Sequence, residues 1–187
     1  MYERENILKI FQGTKEAVAI SDSARIKELS NQTNNSAALT NDPDNIAAAV
    51  IVYALSKIIE RTGYRGLPGW KRFYDTYLST VDRIIRSIEE NNDQEYRRNI
   101  QIIRDAIDNL SGKLKEYIQD VFRKASINKA SKLYEHGISM ETTAKLLGIS
   151  MFELAEYAGQ VGAMSDIPQV RTIDEKTRIK FAMEMFE

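Results

Sequence analysis

Two stripes of apolar residues in the middle of the chain limit its fold more than any other feature. Both alternate steps of three and four residues, which places their side chains on one narrow face of a helix that packs against a second helix. The polar turn at residues 90–93 between them is so short that the two helices must be antiparallel. The sequence therefore predicts a long αα-hairpin, in which Asp93 caps the second helix and Gly112 is a point where that helix can bend. The stripes consist of Trp70, Tyr74, Tyr77, Val81, Ile84 and Ile88, and of Ile100, Ile103, Ile107, Leu110, Leu114, Tyr117 and Val121.

The N-terminal part of the chain adds helices on which this hairpin can pack. Asp42 followed by Pro43 is a strong helix start, because an Asp N-cap and a Pro at the first helical position both suit a helix N-terminus. The helix that begins there is apolar around its whole circumference over residues 46–55, as expected of the buried centre of a bundle. The helix before it carries a polar run, residues 31–35, which is either packed through small polar contacts or a seam that faces a ligand. With no convincing strand pair, the sequence predicts an all-α fold.

Composition excludes several classes of protein. The chain has 187 residues and a net charge of −1, so no overall positive field attracts it to nucleic acid. It contains no cysteine, which rules out disulfides and thiolate metal sites. The first twenty residues mix charged with apolar side chains, unlike a signal peptide, and the longest apolar run is about half of the ~20 residues needed to cross a bilayer. We therefore expect a soluble, cytoplasmic protein.

Residues 128–163 have the pattern of a helix-turn-helix. A first helix over residues 128–136 ends at Gly137, which adopts the left-handed conformation at low cost. Ser139 is placed to cap a short second helix. The positions expected to face inward across the motif are Ala130, Leu133, Tyr134, Met140, Thr143, Ala144, Leu147, Ile149, Leu154 and Tyr157.

The turn into the third helix is the most specific part of this motif. Ala144 is the small residue required where the third helix crosses the second, and Gly148 forms the corner four residues later. Ser150 and Glu153 make an S-x-x-E capping box, which opens the third helix. Each of these residues has a physical reason for its position, so the motif is predicted from geometry as well as from pattern.

Whether the motif contacts DNA is a separate question. The third helix would present no Arg, Lys, Asn or Gln, the residues that make the commonest contacts to bases. The motif as a whole has more Glu than Lys, which gives little attraction for phosphates. Operator binding and a motif that contacts only proteins are therefore both open. The candidate DNA-contacting residues are Lys145, Ser150, Met151, Phe152, Ala155 and Glu156.

Residues 132–139 (KLYEHGIS) and 143–154 (TAKLLGISMFEL) resemble the core of a group of small bacterial and archaeal helix-turn-helix antitoxins. The resemblance implies a regulator that binds and inhibits a partner toxin, most often a PIN-domain ribonuclease, and that binds its own operator DNA as a homodimer. Met151 and Phe152 stand where an Arg-Trp pair is often found, which removes a basic side chain and weakens the expectation of DNA binding. The first 127 residues have no counterpart in the short antitoxins and look like an extended archaeal version.

In such antitoxins, the segment after the motif blocks the toxin. Residues 164–187 suit that role, because an extended link followed by an amphipathic helix can wrap around a partner's groove. Arginines in this segment can pair with the carboxylates of a metal-dependent nuclease. The alternative is a terminal helix that packs on its own bundle or on a dimer mate. The candidate partner-binding residues are Arg171, Ile173, Arg178, Phe181, Met185 and Phe186.

No residue pattern indicates catalysis, a metal or a cofactor. His136 is the single histidine, and the sequence places no catalytic or metal-binding partner beside it. The carboxylate pairs Asp42/Asp44 and Glu89/Glu90 lie at helix ends, where solvated caps are common. The glycines lack the lysine and hydroxyl of a nucleotide-binding loop. The sequence thus predicts a protein that is not an enzyme.

Together these patterns predict three parts. Residues 1–127 form a helical bundle with the hairpin, residues 128–163 the helix-turn-helix, and residues 164–187 a linker with a terminal helical arm. The expected function is that of an antitoxin-type regulator. The alternative is a structural protein–protein interaction module whose helix-turn-helix does not contact DNA.

Overall fold

Seven α-helices and one 3-10 helix account for most of the residues described by the computed structural model. These residues are 1, 3–40, 42–135, 139–147, 150–152 and 154–156, without the side chains of 34–40, 135 and 145–147. No β-strand occurs within these ranges, which confirms the predicted all-α fold. The elements are α1 (Arg4–Ala19), α2 (Ser23–Thr40), α3 (Pro43–Glu60), the 3-10 helix (Thr62–Gly66), α4 (Trp70–Glu89), α5 (Asp93–Asp108), α6 (Gly112–Glu135) and α7 (Met140–Leu147).

Helix α3 is the centre of the bundle. It begins as predicted, with Pro43 in its first turn and the Asp42 carboxylate accepting a hydrogen bond of 3.0 Å from the backbone N–H of Asp44. Helices α1, α2 and α6 pack against it. Because α3 is covered on several sides, its apolar residues are buried around the circumference, as the sequence predicts. They include Ile46, Ala48, Ala49, Val50, Ile51, Val52, Ala54, Leu55, Ile58 and Ile59.

Helices α4 and α5 form the predicted hairpin, but its turn is capped differently. The side chain of Asn92, not Asp93, accepts the hydrogen bond from the backbone N–H of Glu95, at 3.0 Å. Asp93 is the first residue of α5 and accepts a hydrogen bond of 2.6 Å from Arg4. The predicted cap is therefore wrong by one residue, because Asn91 takes a φ of +57° and completes the turn earlier.

The second arm of the hairpin is shorter than predicted. Helix α5 ends at Asp108, and α6 starts at Gly112, whose φ of +57° breaks the helix instead of bending it. On α6, Leu114 and Val121 are buried as the stripe predicts, but the position between them differs. Tyr117, which the heptad pattern places inside, is 44% exposed, and Ile118 is fully buried in its place. Since α6 packs on α3, its buried face is set by that helix and not by continuity with α5.

Residues Met1–Tyr157 belong to one compact unit. The expected division between residues 127 and 128 falls inside α6, which is continuous there. The expected division between residues 163 and 164 lies outside the described residues. Among the helices that are described, none combines the length and hydrophobicity required to cross a bilayer.

Candidate functional site

The helix-turn-helix segment consists of the end of α6, helix α7 and a last helical stretch at residues 151, 152 and 154–156, which we call the third motif helix. Its inward positions are occupied largely as the sequence predicts. Ser139 caps α7 by accepting a hydrogen bond of 3.1 Å from the backbone N–H of Thr142. The buried residues are Ala130, Leu133, Thr143, Ala144 and Leu154, whereas Met140 is half-buried.

Tyr134 is an exception among the predicted inward positions, because its side chain is exposed. The buried face of α6 is centred on Ala125, Lys129 and Leu133, which follow one another at intervals of one helical turn. Tyr134 lies about 100° around the helix from Leu133 and so points away from α3. Gly137, Gly148, Ile149, Glu153 and Tyr157, together with the side chain of Leu147, lie outside the described residues.

The third motif helix presents the expected surface. Leu154 anchors it in the core, while Ser150, Ala155 and Glu156 are exposed. Phe152 is 77% exposed and Met151 is 53% exposed. The described side chains of this surface are apolar or acidic apart from Ser150, whose hydroxyl is the one side-chain donor among them that could contact a base edge.

The remaining predicted site residues lie wholly or partly outside the described residues. The backbone of Lys145 lies in α7, but its side chain is outside the described residues. The candidate arm residues Arg171, Ile173, Arg178, Phe181, Met185 and Phe186 lie in the part of the chain that is not described. Their roles stay predictions.

Sequence reasoning missed a buried lysine at the base of the motif. Lys129 in α6 is 1% exposed, and its ammonium donates hydrogen bonds to the side-chain oxygen of Asn31 (3.0 Å) and to the backbone carbonyl of Ser30 (3.3 Å) in α2. The same ammonium lies 4.8 Å from the centroid of the Tyr53 ring in α3, a cation–π distance. Lys129 thus joins three helices.

The polar run on α2 explains how the lysine is accommodated. Ser30 donates a hydrogen bond of 2.7 Å to the carbonyl of Ala49, and Thr33 donates one of 2.7 Å to the carbonyl of Ser30. Ser30 and Thr33 are thus packed inside the protein, whereas Asn31 is exposed and reaches the ammonium from the surface. The side chains of Asn34 and Asn35 lie outside the described residues. A signal for this site does exist in the sequence, since Lys129 is one turn from both Ala125 and Leu133 on an otherwise apolar face.

The environment of Lys129 disfavours its charge. Burial, with a smaller contribution from the positive charges of Lys132 and Lys27, lowers the pKa of its ammonium from the ordinary 10.5 to about 7. Within the described part of the chain, no carboxylate lies at salt-bridge distance from Lys129. Near neutral pH the amine is therefore divided between its charged and uncharged forms.

The described residues contain no group of three or more acidic, histidine or cysteine side chains placed to hold a metal ion. No protein-family model matches the chain, and searches of curated proteins and of solved structures find no similar protein.

Proposed function

We propose that this protein is a regulator of the antitoxin type, which acts by binding and inhibiting a partner toxin, most consistently a PIN-domain ribonuclease. The resemblance of the turn sequence to helix-turn-helix antitoxins suggests the class. Burial of Ala130, Leu133, Ala144 and Leu154 supports it, because these are the positions through which the three helices of such a motif are expected to pack.

The observation that carries the proposal is the exposure of Phe152 and Met151 side by side on the third motif helix. Large aromatic and methionine side chains are enriched in the cores of protein–protein interfaces, where their burial contributes binding energy. Leu154, two residues further on, is fully buried, so the helix is anchored while these two side chains face outward. Such a surface is suited to a protein partner.

The same surface is poorly suited to binding operator DNA. Ser150, Ala155 and Glu156 complete the exposed face, and none of them carries a positive charge. Because phosphate contacts by Lys and Arg supply most of the non-specific affinity for DNA, this helix is a poor reader of a major groove. The motif therefore serves in our proposal as a protein-contacting element, with Lys145 as its one candidate for a phosphate contact.

The C-terminal arm completes the proposal. Residues 164–187 would lie along the toxin, with Phe181, Met185 and Phe186 in an apolar groove and Arg171 and Arg178 on the acidic residues of the nuclease site. A homodimer would place two such arms on one assembly.

Binding to the product of the neighbouring gene tests the proposal directly. We expect the full chain to inhibit that product when it is a small nuclease, and the Phe152→Ser variant to inhibit it at least about tenfold more weakly. Ile20→Ser is the matched control, since Ile20 is a large exposed apolar residue outside the motif. Equal inhibition by the wild type and the Phe152→Ser variant would rule out the third motif helix as a contact surface. Removal of residues 166–187 without loss of inhibition would rule out the arm.

A titration of the protein's own promoter fragment at several salt concentrations separates the DNA role from the protein role. We expect weak binding and a shallow dependence on salt, since few phosphates are neutralised. Tight and steeply salt-sensitive binding that Phe152→Ser leaves intact, combined with unchanged toxin inhibition, would favour a DNA-binding repressor instead.

A further inference from the structure

Lys129 is a buried lysine whose amine has no carboxylate partner among the described residues. It lies in α6 shortly before the helix-turn-helix, and its hydrogen bonds run to α2 while its cation–π contact is with α3. The carbonyl of Ser30 and the amide oxygen of Asn31 are neutral acceptors. They replace water at the ammonium only in part, and an unpaired charge is costly to bury.

The charged groups around this site do not remove that cost. Lys27 on α2 and Lys132 on α6 act on Lys129 with the same sign of charge. On α3, Lys57 lies 5.9 Å from the centroid of the same Tyr53 ring, but it is already paired with Glu60 at 2.7 Å. On α7, the described acidic residue is Glu141, which is exposed to solvent.

We propose that α6 docks on α2 and α3 with the Lys129 amine uncharged, so that release of the C-terminal half of α6, and of the helix-turn-helix that follows it, is coupled to the uptake of one proton. The uncharged amine still donates to Asn31 and Ser30, and the released amine binds a proton from water. The new N–H bond forms as an O–H bond of hydronium or water breaks, and no other covalent bond changes. The coupling does not depend on which partner the motif binds.

The direction of the pH dependence follows from linkage. The docked amine has a pKa of about 7, and a released lysine has its ordinary value of 10.5. Between these two values the released state holds one proton more than the docked state, so the equilibrium constant for release falls about tenfold for each unit of rising pH. Below pH 7 both states are protonated and the dependence ends. A neutral medium thus lies at the lower edge of the sensitive range.

Hydrogen exchange of the α6 backbone amides tests this coupling in the full chain. For amides that exchange through release, the intrinsic exchange rate rises in proportion to hydroxide, while the release constant falls by the same factor. We therefore expect the exchange rates of residues 125–133 to be nearly constant between pH 7 and 9. Amides that open locally without release of α6, such as that of Glu90 at the exposed end of α4, provide an internal comparison and should exchange faster as the pH rises.

Two variants complete the experiment. In Lys129→Met the titrating group is absent, and the α6 rates should rise about tenfold per pH unit. In Lys124→Met, the matched control, which removes an exposed lysine of the same helix that does not act on Lys129, the rates should stay nearly constant. Exchange rates are also independent of pH when each opening event leads to exchange, so that the opening rate is limiting. That regime gives bimodal isotope envelopes in mass spectra, and their observation for α6 would overturn the proposal. Wild-type α6 rates that rise with hydroxide, or Lys129→Met rates that stay flat, would overturn it as well.

Discussion

The hydroxyl of Tyr96 donates a hydrogen bond of 2.7 Å to the backbone carbonyl of Asp44, which joins the start of α5 to the start of α3. Burial raises the pKa of Tyr96 well above its usual value, so the hydroxyl keeps its proton and stays a donor at neutral pH. The same turn of α3 is held from outside by Arg97, whose guanidinium donates two hydrogen bonds, of 3.0 and 2.9 Å, to the Asp44 carboxylate. The hairpin is thus fixed to the central helix at its turn.

Tyr96→Phe should lower the free energy of unfolding by about 1–2 kcal/mol, because it leaves the buried carbonyl of Asp44 without this donor. Urea unfolding followed by circular dichroism measures the change. Tyr74→Phe is the control, since Tyr74 is only half-buried and stacks on Trp70 through its ring, and it should change stability by less than about 0.5 kcal/mol. Equal effects of the two substitutions would contradict the assigned role of the Tyr96 hydroxyl.

Lys129→Met should raise the free energy of unfolding at pH 7, and the difference from the wild type should shrink as the pH rises. A lysine whose pKa is lower in the folded than in the unfolded state gives up a proton on folding, so the wild type gains stability between pH 7 and 10.5 while the variant does not. The difference in unfolding free energy should therefore narrow by about 1.4 kcal/mol per pH unit in this window. Urea titrations at pH 7, 8 and 9 measure it. A constant difference would mean that Lys129 is charged in the folded protein.

The sequence predicts those features of the fold that depend on local chemistry. Asp42 and Pro43 start α3 because a cap and a fixed φ act within one turn of helix. The stripe from Trp70 to Ile88 is inward-facing, apart from the half-buried Tyr74, because α4 is regular along its whole length. The inward positions of Ala144 and Leu154 in the motif also follow from spacing alone.

Features that depend on distant parts of the chain could not be predicted in this way. An unbroken heptad pattern places Tyr117 inside, but the break before Gly112 lets α6 turn onto α3 and buries Ile118 instead. From the sequence alone, Lys129 would be taken for a surface lysine. Its burial depends on the oxygens of Ser30 and Asn31 in α2, which are about one hundred positions away in sequence. In the candidate site, the spacing of residues predicts which side chains of the third motif helix are exposed. The identity of the partner that binds them cannot be predicted in this way, because it depends on the surface of another molecule.

Gly112→Ala should destabilise the protein by about 1 kcal/mol, because Gly112 has a φ of +57° that an L side chain adopts only at a cost. A Cβ atom at this position would meet no other atom within 4 Å, so the effect measures backbone strain and not a clash. Gly66→Ala is the matched control, as Gly66 is equally uncrowded and its φ is not positive. Thermal unfolding of both variants measures the effect, and we expect only Gly112→Ala to lower the melting temperature. Equal shifts in the two variants would indicate a general effect of replacing glycine and not strain at the α5–α6 break.

Leu154→Ala should lower stability, whereas Phe152→Ala should weaken partner binding, although the two residues are only two positions apart. Leu154 is fully buried, so its truncation removes apolar contacts and should cost about 2–4 kcal/mol of stability in the motif. Phe152 is 77% exposed, so its truncation should change stability by less than about 0.5 kcal/mol and act only on partner binding. Hydrogen exchange of the α7 amides reports the first effect, because α7 shares the motif core through Ala144, and a binding assay with the partner reports the second. If Phe152→Ala instead increased exchange throughout α7, the side chain would be part of the core, and the proposed contact surface would have to be abandoned.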